Sequence, residues 1–394
     1  MKHSTRRALG KLALWSYAVG IVGFYGIAYL RTRADESSQQ DTGSGLIDVG
    51  VLPRVSVILP ARDEERNILR SVTSLLEQDY PDFEAIVVDD ASTDRTPAIL
   101  REIAARHPHG ERLRVLRVDE LPPGWAGKPH AIHTGASAAT GEWLLLTDAD
   151  TYHAPEALRS AVERALRDGM DLFSYGTTQE LPDFWGRVLM PMAYMGISMQ
   201  YPAASVNDPT SPVAIANGQY ILIKRALYDK IGGYASASLR RTVLDDRDLA
   251  RATKQAGARM EMVDGRGLVS TRMYRGLREH WRGWGKNAYA GSRGGSEFFL
   301  LMIAGLPLVT IVPFALALGG LVTRHWRVAI AGGTTAAAAL AYRAWLQRGM
   351  RVPWRYVATL PLAGAVFTGI LSRGLWRSLT HRGVEWKGRS YTVR

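Results

Sequence analysis

The sequence contains no cysteine among its 394 residues. Without thiols the chain has no disulfide, no thiol nucleophile and no cysteine-ligated zinc or iron–sulfur centre. Its nine histidines show neither H-x-x-x-H nor H-E-x-x-H spacing, and the motifs G-x-S-x-G and G-x-x-x-x-G-K-[ST] are missing. These absences argue against a zinc hydrolase, a serine hydrolase and a P-loop nucleotide hydrolase.

Acidic residues are scarce in the last third of the chain. From Thr271 to Arg394 there are 18 lysines and arginines but only 3 acidic residues, whereas the first 270 residues carry 31 basic and 34 acidic groups. The formal charge of +12 therefore arises in the C-terminal third, where basic residues alternate with apolar segments. This pattern is typical of membrane-spanning regions, so we expect a membrane partner and no nucleic-acid partner.

Four long segments without charge are candidate membrane spans: Leu12–Leu30, Phe298–Thr323, Val328–Tyr342 and Tyr356–Ser372. A signal peptide is the alternative for the first, but its apolar run exceeds the usual core of about 7–15 residues and no small-x-small cleavage site follows, which favours an uncleaved anchor. The last two are shorter than the ~20 residues of an ideal span, so we expect two or three C-terminal helices. If all three C-terminal segments crossed the membrane from a cytoplasmic domain, the basic tail would lie on the outer side of the membrane, which the positive-inside rule opposes.

Between these segments, short apolar runs alternate with helix-like stretches. Strands are predicted at Val55–Leu59, Glu84–Val88, Leu113–Val118 and Trp143–Thr147. Near-continuous apolar strands separated by helices indicate a parallel sheet covered on both faces. Ligands bind beyond the carboxyl ends of such strands, and polar clusters follow three of them, at 60–64, 89–90 and 148–150.

The carboxylates after the fourth predicted strand suggest a divalent-cation site. Asp148 and Asp150 supply the oxygen ligands that Mg²⁺ or Mn²⁺ prefers, and substrate phosphates complete such sites. A solvated turn or a helix cap is the alternative for this D-x-D pair. Asp90 either caps the next helix or accepts hydrogen bonds from a base or ribose. Lys128, in a loop with two glycines, offers a cation for a diphosphate.

The chain resembles family 2 glycosyltransferases in segments that occur in the family's order and spacing: VSVILPARDEERNI, IVVDDASTDRT, GWAGKPHAIHTGASAATGEWLLLTDADT, and NGQYILIKRALYDKIGGY followed by LDDRDLARATKQAG. The resemblance extends from about Arg54 to Ala290. It is closest to the membrane-bound subgroup that glycosylates lipids, such as the hopanoid-associated, carotenoid-pathway and ceramide-type enzymes. The stretches MYRGLREHWRGWGKNAYAG and HRGVEWKGRSY support that subgroup.

The resemblance implies an α/β, GT-A-type Rossmann-like domain that uses a nucleotide-sugar donor, usually a UDP-sugar, and Mn²⁺ or Mg²⁺. It assigns the metal to Asp148 and Asp150, and the nucleotide-sugar site to Pro60, Ala61, Arg62, Glu64, Asp90, Lys128 and Asp148. The family's later acidic motif is usually Glu-Asp; here it reads Asp245-Asp246, so Asp246 falls at the position of the catalytic base. Without the resemblance, an acidic residue in the first turn of a helix over 246–256 is the simpler interpretation.

The acceptor and membrane edge is assigned to residues around a basic and aromatic stretch: Asp245, Arg278, Trp281 and Trp284. Such a stretch suits a helix in the headgroup layer, and the two tryptophans are interfacial anchors or parts of the acceptor site. The Met-rich segment Leu181–Tyr201 is a surface for greasy ligands, a bilayer-surface helix or ordinary core. The Q-x-x-R-W motif of processive polysaccharide synthases is missing.

These expectations give an N-terminal transmembrane anchor (1–31), a linker (32–53), a GT-A domain (54–296) with an interfacial helix at about 274–290, C-terminal membrane segments (297–373) and a basic tail (374–394). The expected function is transfer of a single sugar, with inversion, from a nucleotide-sugar to a lipid hydroxyl. The expected location is the cell (inner) membrane, as a multi-pass protein with a cytoplasmic catalytic domain. The alternatives are a processive polysaccharide synthase and a catalytically silent, nucleotide-sugar-binding membrane scaffold.

Overall fold

The computed structural model describes residues 2–39, 51–292, 296–380, 382, 384–386 and 389–391. Its helices are α1 Lys2–Gln39, α2 Ile68–Leu76, α3 Thr96–Arg106, α4 Gly127–Ala138, α5 Ala157–Arg167, α6 Phe184–Gln200, α7 Ala203–Asn207, α8 Arg225–Lys230, α9 Asp245–Gln255, α10 Gly276–Ser292, α11 Ser296–Thr310, α12 Val312–Val322, α13 Trp326–Gly349 and α14 Leu360–Leu379. Its strands are β1 Val55–Ala61, β2 Phe83–Asp90, β3 Leu113–Val118, β4 Trp143–Leu146, β5 Thr151–His153, β6 Leu172–Gly176, β7 Thr178–Gln179, β8 Ile221–Lys224, β9 Met260–Asp264, β10 Val269–Thr271, β11 Val384–Trp386 and β12 Arg389–Tyr391.

A seven-stranded sheet in the order β3-β2-β1-β4-β8-β6-β9 forms the centre of the globular part. The first four strands in this order are parallel, as the β/α alternation of the sequence predicts. The complete sheet is mixed, because β8, a strand that was not predicted, pairs antiparallel with both β4 and β6. A three-stranded sheet, β5-β10-β7, follows the D-x-D segment.

Two apolar cores cover the faces of the central sheet. One packs α2, α3 and α5 against alternate strand residues such as Val57, Leu59 and Phe173. The other packs α4, α8 and α9 against the opposite face, where Ile58 and Leu146 are buried. Burial on both faces explains the near-continuous apolar sequence of β1, β2 and β4.

A third core joins the apolar helices to α6 and α10 of the globular part. Three helical segments are long and apolar enough to cross a membrane: Ala8–Ala34, Phe299–Val322 and Trp354–Leu379. The second comprises α11 and α12, which meet at Ile311 between two prolines, Pro307 and Pro313. The segment predicted at 328–342 lies inside α13, a helix of 24 residues that does not meet the same criterion.

Two predicted boundaries are shifted in the structure, and the Met-rich segment is resolved as a helix. Helix α1 ends at Gln39, so it includes the first eight residues of the predicted linker, while residues 40–50 of that linker lie outside the described residues. Helix α14 ends at Leu379 and thus includes the start of the predicted basic tail. The Met-rich segment forms α6, in which Met190, Met192 and Met195 are buried; ordinary core is therefore the correct interpretation for these three.

Candidate active site

The loops after β1 and β2 interlock at the carboxyl edge of the sheet. Arg62 Nη1 donates to the backbone oxygen of Asp90 over 2.7 Å, and the backbone N–H of Thr93 donates to Asp63 Oδ1 over 2.8 Å. Asp63 and Ala91 have φ angles of 50° and 52°, a left-handed backbone conformation that residues other than glycine rarely adopt. The predicted nucleotide-site residues Pro60, Ala61, Arg62, Glu64 and Asp90 all lie in or next to this pair of loops, and Asp90 is buried.

A lysine between two carboxylates lies at the same edge, beside β4. Lys128, in the first turn of α4, places Nζ 2.8 Å from Asp148 Oδ1 and 2.9 Å from Asp245 Oδ2. Burial alone would lower the pKa of Lys128, but the two carboxylates outweigh it and hold the pKa above its ordinary value. The side chains are about one-third exposed at Lys128, 29% exposed at Asp148 and 13% exposed at Asp245. The structure thus brings together three elements that are far apart in the sequence.

Asp246 lies in the first turn of α9, next to this cluster. Burial, together with the adjacent Asp245 carboxylate, raises the pKa of Asp246 to about 6, although Lys128 opposes the shift. Gly218 separates Asp246 from Lys128: a Cβ at this position would lie 3.3 Å from Lys128 Nζ and 3.5 Å from Asp246 Oδ2. A carboxylate with a pKa near neutrality is suited to exchange a proton with a ligand.

The turn that carries Asp148 is fixed from beneath by buried polar groups. Thr147 Oγ1 donates to the backbone oxygen of Gln219 over 2.8 Å and lies 3.1 Å from His153 Nε2. Complete burial lowers the pKa of His153 to about 3, so this imidazole is neutral at pH 7. These contacts tie the end of β4 to the strand β8 region and hold the carboxylate of Asp148 in place.

Helix α10 brings a second lysine to the site. Lys286 interacts electrostatically with Asp245, Lys128, Asp148 and Asp246, and its burial, opposed by Asp245 and assisted by the Lys128 ammonium, lowers its pKa. Lys286 lies in the basic and aromatic stretch that the sequence predicts as an interfacial helix. Its approach to the carboxylates of the site depends on the packing of α10 against the edge of the sheet.

Tyr274 precedes α10 and lies between that helix and the D-x-D segment. Burial, with Asp150 and Asp148 nearby, raises the pKa of its phenol. A Cβ at Gly283 would lie 2.2 Å from Tyr274 Cζ, so only a glycine lets the ring cross α10 at this height. Lys286, Tyr274 and Gly218 were not predicted as site residues, because none belongs to a charged cluster at a predicted strand end.

The D-x-D pair has the chemistry of a hard-cation site. One carboxylate oxygen of Asp150 is buried, and the backbone oxygen of Asp150 accepts from the N–H of Arg272 over 3.1 Å. Asp148 and Asp150 provide only oxygen donors, which suits Mg²⁺ or Mn²⁺. Within the described ranges no group of three or more His, Asp or Glu side chains is arranged to hold a metal ion. Further ligands would therefore come from water and from phosphate oxygens of a substrate, as is usual for Mg²⁺.

The residues assigned to the acceptor and membrane edge do not share one environment. Asp245 is ion-paired with Lys128. Trp281 packs against Gly369 of α14, and Trp284 contacts Phe367 of the same helix and Tyr274. Arg278 is exposed on α10. Both indoles thus attach α10 to α14 and fix how α10 presents Lys286 to the site.

Comparison with known proteins identifies the class of this fold. Residues 56–232 match the model of glycosyl transferase family 2, a range that ends before Asp246 and α10. Over this range, which is less than half of the chain, the sequence is similar to family 2 glycosyltransferases, and the expected α/β, GT-A-type fold is confirmed.

Two curated relatives are each named 4,4'-diaponeurosporenoate glycosyltransferase. The protein from Staphylococcus haemolyticus is 26% identical over 255 residues, which span 63% of this chain and 64% of that protein, just under two thirds of its length. The protein from Staphylococcus aureus (strain MRSA252) is 26% identical over 351 residues, which span 86% of this chain and 88% of that protein. Both relatives support the lipid-glycosylating subgroup of family 2.

A solved structure supports the fold. The mannosyltransferase PcManGT from Pyrobaculum calidifontis, in complex with GDP-Man and Mn²⁺, superposes with a TM-score of 0.55 at 22% identity, over 93% of this chain and 99% of that chain. At this identity the similarity establishes the shared architecture.

Proposed function

We propose that this protein is a membrane-bound, inverting glycosyltransferase that moves a single sugar from a nucleotide-sugar donor, a UDP-sugar, to the hydroxyl of a lipid or isoprenoid-type acceptor. The observation that carries the proposal is the cluster of Lys128, Asp148, Asp245 and Asp246 at the carboxyl edge of parallel strands. Lys128 and Asp148 lie within the range that matches family 2, and the two α9 carboxylates lie beyond it. Parallel α/β sheets bind ligands at this edge.

Cleavage of a sugar–diphosphate bond leaves negative charge on the diphosphate. In the proposed complex, Lys128 and Lys286 face that charge from α4 and α10, and cations placed where charge develops stabilise the transition state. Asp148 and Asp150 would hold the divalent ion, Mn²⁺ or Mg²⁺, which when bound supplies Lewis-acid stabilisation of the same oxygens. Displacement of either ammonium would leave the leaving group less stabilised.

Asp246 is the proposed catalytic base. With its pKa at about 6, its carboxylate is mostly ionised at pH 7 and close enough to neutrality to accept the proton of an attacking hydroxyl. One base and one leaving-group site suit a single displacement, in which the attacking oxygen enters opposite the diphosphate. This geometry gives inversion at the anomeric carbon.

The interlocked loops after β1 and β2 form the proposed nucleotide site. Arg62 links the two loops through the backbone of Asp90, so their shape is set before a ligand arrives. Asp90 and the loop residues Pro60, Ala61, Arg62 and Glu64 would contact the base and ribose. Preorganisation of this kind lowers the entropic cost of binding.

A lipid acceptor in a cell (inner) membrane is supported by the apolar helices and by the relatives. Three segments have the length and hydropathy of membrane spans, and α10 lies between them and the active site. The relatives' names describe glycosylation of diaponeurosporenoate, an acceptor of isoprenoid type. We therefore place the protein in the membrane as a multi-pass protein, with its catalytic domain in the cytoplasm, where nucleotide sugars are made.

Release of nucleotide by the purified full-length protein tests the proposal. The protein in detergent is given a panel of nucleotide sugars and total membrane lipid, with Mn²⁺ or with EDTA. Metal-dependent release that requires lipid and yields a labelled lipid of discrete size is expected. A long labelled polymer would instead identify a processive synthase. The absence of both nucleotide release and donor binding would contradict the proposal.

A further inference from the structure

Helix α14 is attached to the catalytic domain at its start, in its middle and beyond its end. The turn before it contacts the start of α6, where Arg187 Nη1 donates to the hydroxyl of Tyr356 over 3.4 Å. Its middle contacts α10, because Phe367 and Gly369 pack against the two tryptophans of that helix. Strand β11, which follows α14, contacts α10 again. The apolar segment Trp354–Leu379 therefore begins and ends at the catalytic domain.

Helix α13 projects away from the domain instead. Near its end, Arg343 donates to two backbone oxygens of α6 over 3.1 and 2.9 Å. Near its start it packs antiparallel against α12, with Ala329 against Gly320. A helix rises 1.5 Å per residue, so Trp326 lies about 26 Å along the axis from Arg343, close to the ~30 Å of a hydrocarbon core. Helix α13 is therefore long enough to cross a bilayer beyond the domain.

The low hydropathy of α13 follows from its position among other helices. On one side it packs against α12, and on the other against α1, where the rings of Tyr25 and Tyr342 lie 5.6 Å apart. Small residues let membrane helices approach closely. Such residues make up most of its buried face: Ala329, Ala331, Gly332, Thr335, Ala336 and Ala339. A helix enclosed in this way needs little apolar surface of its own.

Like charges gather at the C-terminal end of α14. Arg373 interacts electrostatically with Arg377 of the same helix and with Arg282 of α10. The guanidinium of Arg382 lies 4.9 Å from the ring centroid of Trp376, an indole that is 49% exposed. We call these four side chains the arginine cluster. Neighbouring guanidinium groups repel one another, so the cluster favours an anionic partner. An exposed indole beside basic groups is typical of the headgroup layer of a membrane.

We propose that α14 lies in the headgroup layer on the side of the catalytic domain, where the arginine cluster binds phosphates of anionic phospholipids, and that α13 makes the return crossing. From Arg373 onward the chain has six lysines and arginines and one acidic residue. With α1, the α11–α12 segment and α13 as the three spans, this basic end stays on the side of the catalytic domain. The positive-inside rule favours that side for a cytoplasmic domain. The inference rests on the proposed membrane insertion and is independent of sugar transfer.

The absence of cysteine allows the topology to be tested with single-cysteine variants of the full-length protein in intact cells. Ala105→Cys reports the side of the catalytic domain, Thr323→Cys that of the α12–α13 turn and Thr380→Cys that of the end of α14; all three positions are exposed. A membrane-impermeant maleimide should label Thr323→Cys on intact cells, and the other two only after permeabilisation.

The inference depends on which variants share a side. Thr380→Cys should share the side of Ala105→Cys, and sharing the side of Thr323→Cys would overturn the inference. Failure of Thr380→Cys to react after permeabilisation would also overturn it, because the headgroup layer is accessible to water. Ala105→Cys reports the location of the catalytic domain separately, so an error in the proposed location is recognised without reference to α14.

Native mass spectrometry of the protein in neutral detergent tests the lipid partner. We expect retention of phosphatidylglycerol over zwitterionic phosphatidylcholine, and a loss of about tenfold in phosphatidylglycerol affinity in the double variant Arg373→Gln, Arg377→Gln. The matched control, Arg324→Gln with Arg327→Gln, removes the same charge at exposed positions at the other end of the spans and should bind as the unaltered protein does.

Two results would overturn the assignment of the arginine cluster to anionic lipid. One is equal retention of the two lipids by the unaltered protein, and the other is unchanged phosphatidylglycerol affinity in the Arg373 and Arg377 double variant. The labelling assay leaves all four arginines in place, so it decides the position of α14 even where the charge variants fold poorly.

Discussion

Replacement of Asp246 by Asn is expected to remove most of the turnover and to leave donor binding nearly unchanged. The amide has almost the same shape as the carboxylate but cannot accept a proton. General-base catalysis typically contributes about 10²–10⁴-fold, so kcat should fall by that factor. Single-turnover assays with labelled donor measure the chemical step, and nucleotide titration measures donor affinity.

The pH dependence provides a second signature of the same group. Since the carboxylate is the active form and its pKa is raised to about 6, kcat/KM of the unaltered enzyme should rise with pH through about 6. In Asp246→Asn this limb should disappear. A rate profile that keeps the same limb, or turnover close to that of the unaltered protein, would refute the assignment of Asp246 as the base.

The neighbouring carboxylate is the matched control. Asp245 is ion-paired with Lys128 over 2.9 Å, so Asp245→Asn should leave Lys128 less well oriented and weaken donor binding more than it slows chemistry. The folding stability of Asp246→Asn provides a further check. An acid whose pKa is raised in the folded state destabilises the fold as pH rises from its ordinary value of 3.8 through about 6. Asp246→Asn should therefore increase the free energy of unfolding at pH 7 by about 1–3 kcal/mol, which is measured as a higher melting temperature.

Three further predictions concern the surroundings of the site. Lys286→Met should lower kcat by about 10²-fold through lost stabilisation of the leaving diphosphate, and unchanged single-turnover rates would exclude that role. Gly283→Ala should displace the Tyr274 ring, and this overpacking should destabilise the fold by about 1–3 kcal/mol and lower the activity. An unchanged melting temperature would show that α10 shifts to accept the methyl group without strain. Glu180, held by Arg70 and Arg272 with its pKa lowered to about 2, contributes stability that is present above pH 4.5 and lost as pH falls towards 2. Glu180→Gln should therefore be about 1–2 kcal/mol less stable at pH 7 in denaturation assays. Its stability should also fall less than that of the unaltered protein between pH 4.5 and 2.

The parallel half of the sheet could be predicted from sequence because its strands are buried on both faces. The pattern over Val55–Leu59 and Trp143–Thr147 is near-continuous and apolar, and the observed strands β1 and β4 start at the predicted residues. Strand β8 was not predicted. Its first three residues are as apolar as those of β4, but the strand ends at Lys224 and is followed at once by a helix of six residues, so the local pattern gives no sign of its antiparallel pairing.

The polar ends of the strands could likewise be located, since a charged cluster after a buried strand is a local feature. Asp148, Asp150 and Lys128 were predicted as site residues on this basis and on family resemblance, and the structure brings Lys128 and Asp148 into contact. The pairing of Lys128 with Asp245 was not predictable, because 117 residues separate them and no periodic pattern connects α4 to α9.

By itself the sequence determined the division into an α/β domain and apolar helices, because hydrophobic period and charge are local properties read along the chain. Tertiary structure alone decided which charges meet. It placed Lys286 of α10 beside three carboxylates, passed the Tyr274 ring over Gly283, and buried Arg343 of α13 against the backbone oxygens of Arg187 and Val188 in α6. Each of these depends on the close approach of elements that are distant in sequence, where packing and burial, rather than local propensity, fix the distance between groups and hence their pKa values and partners.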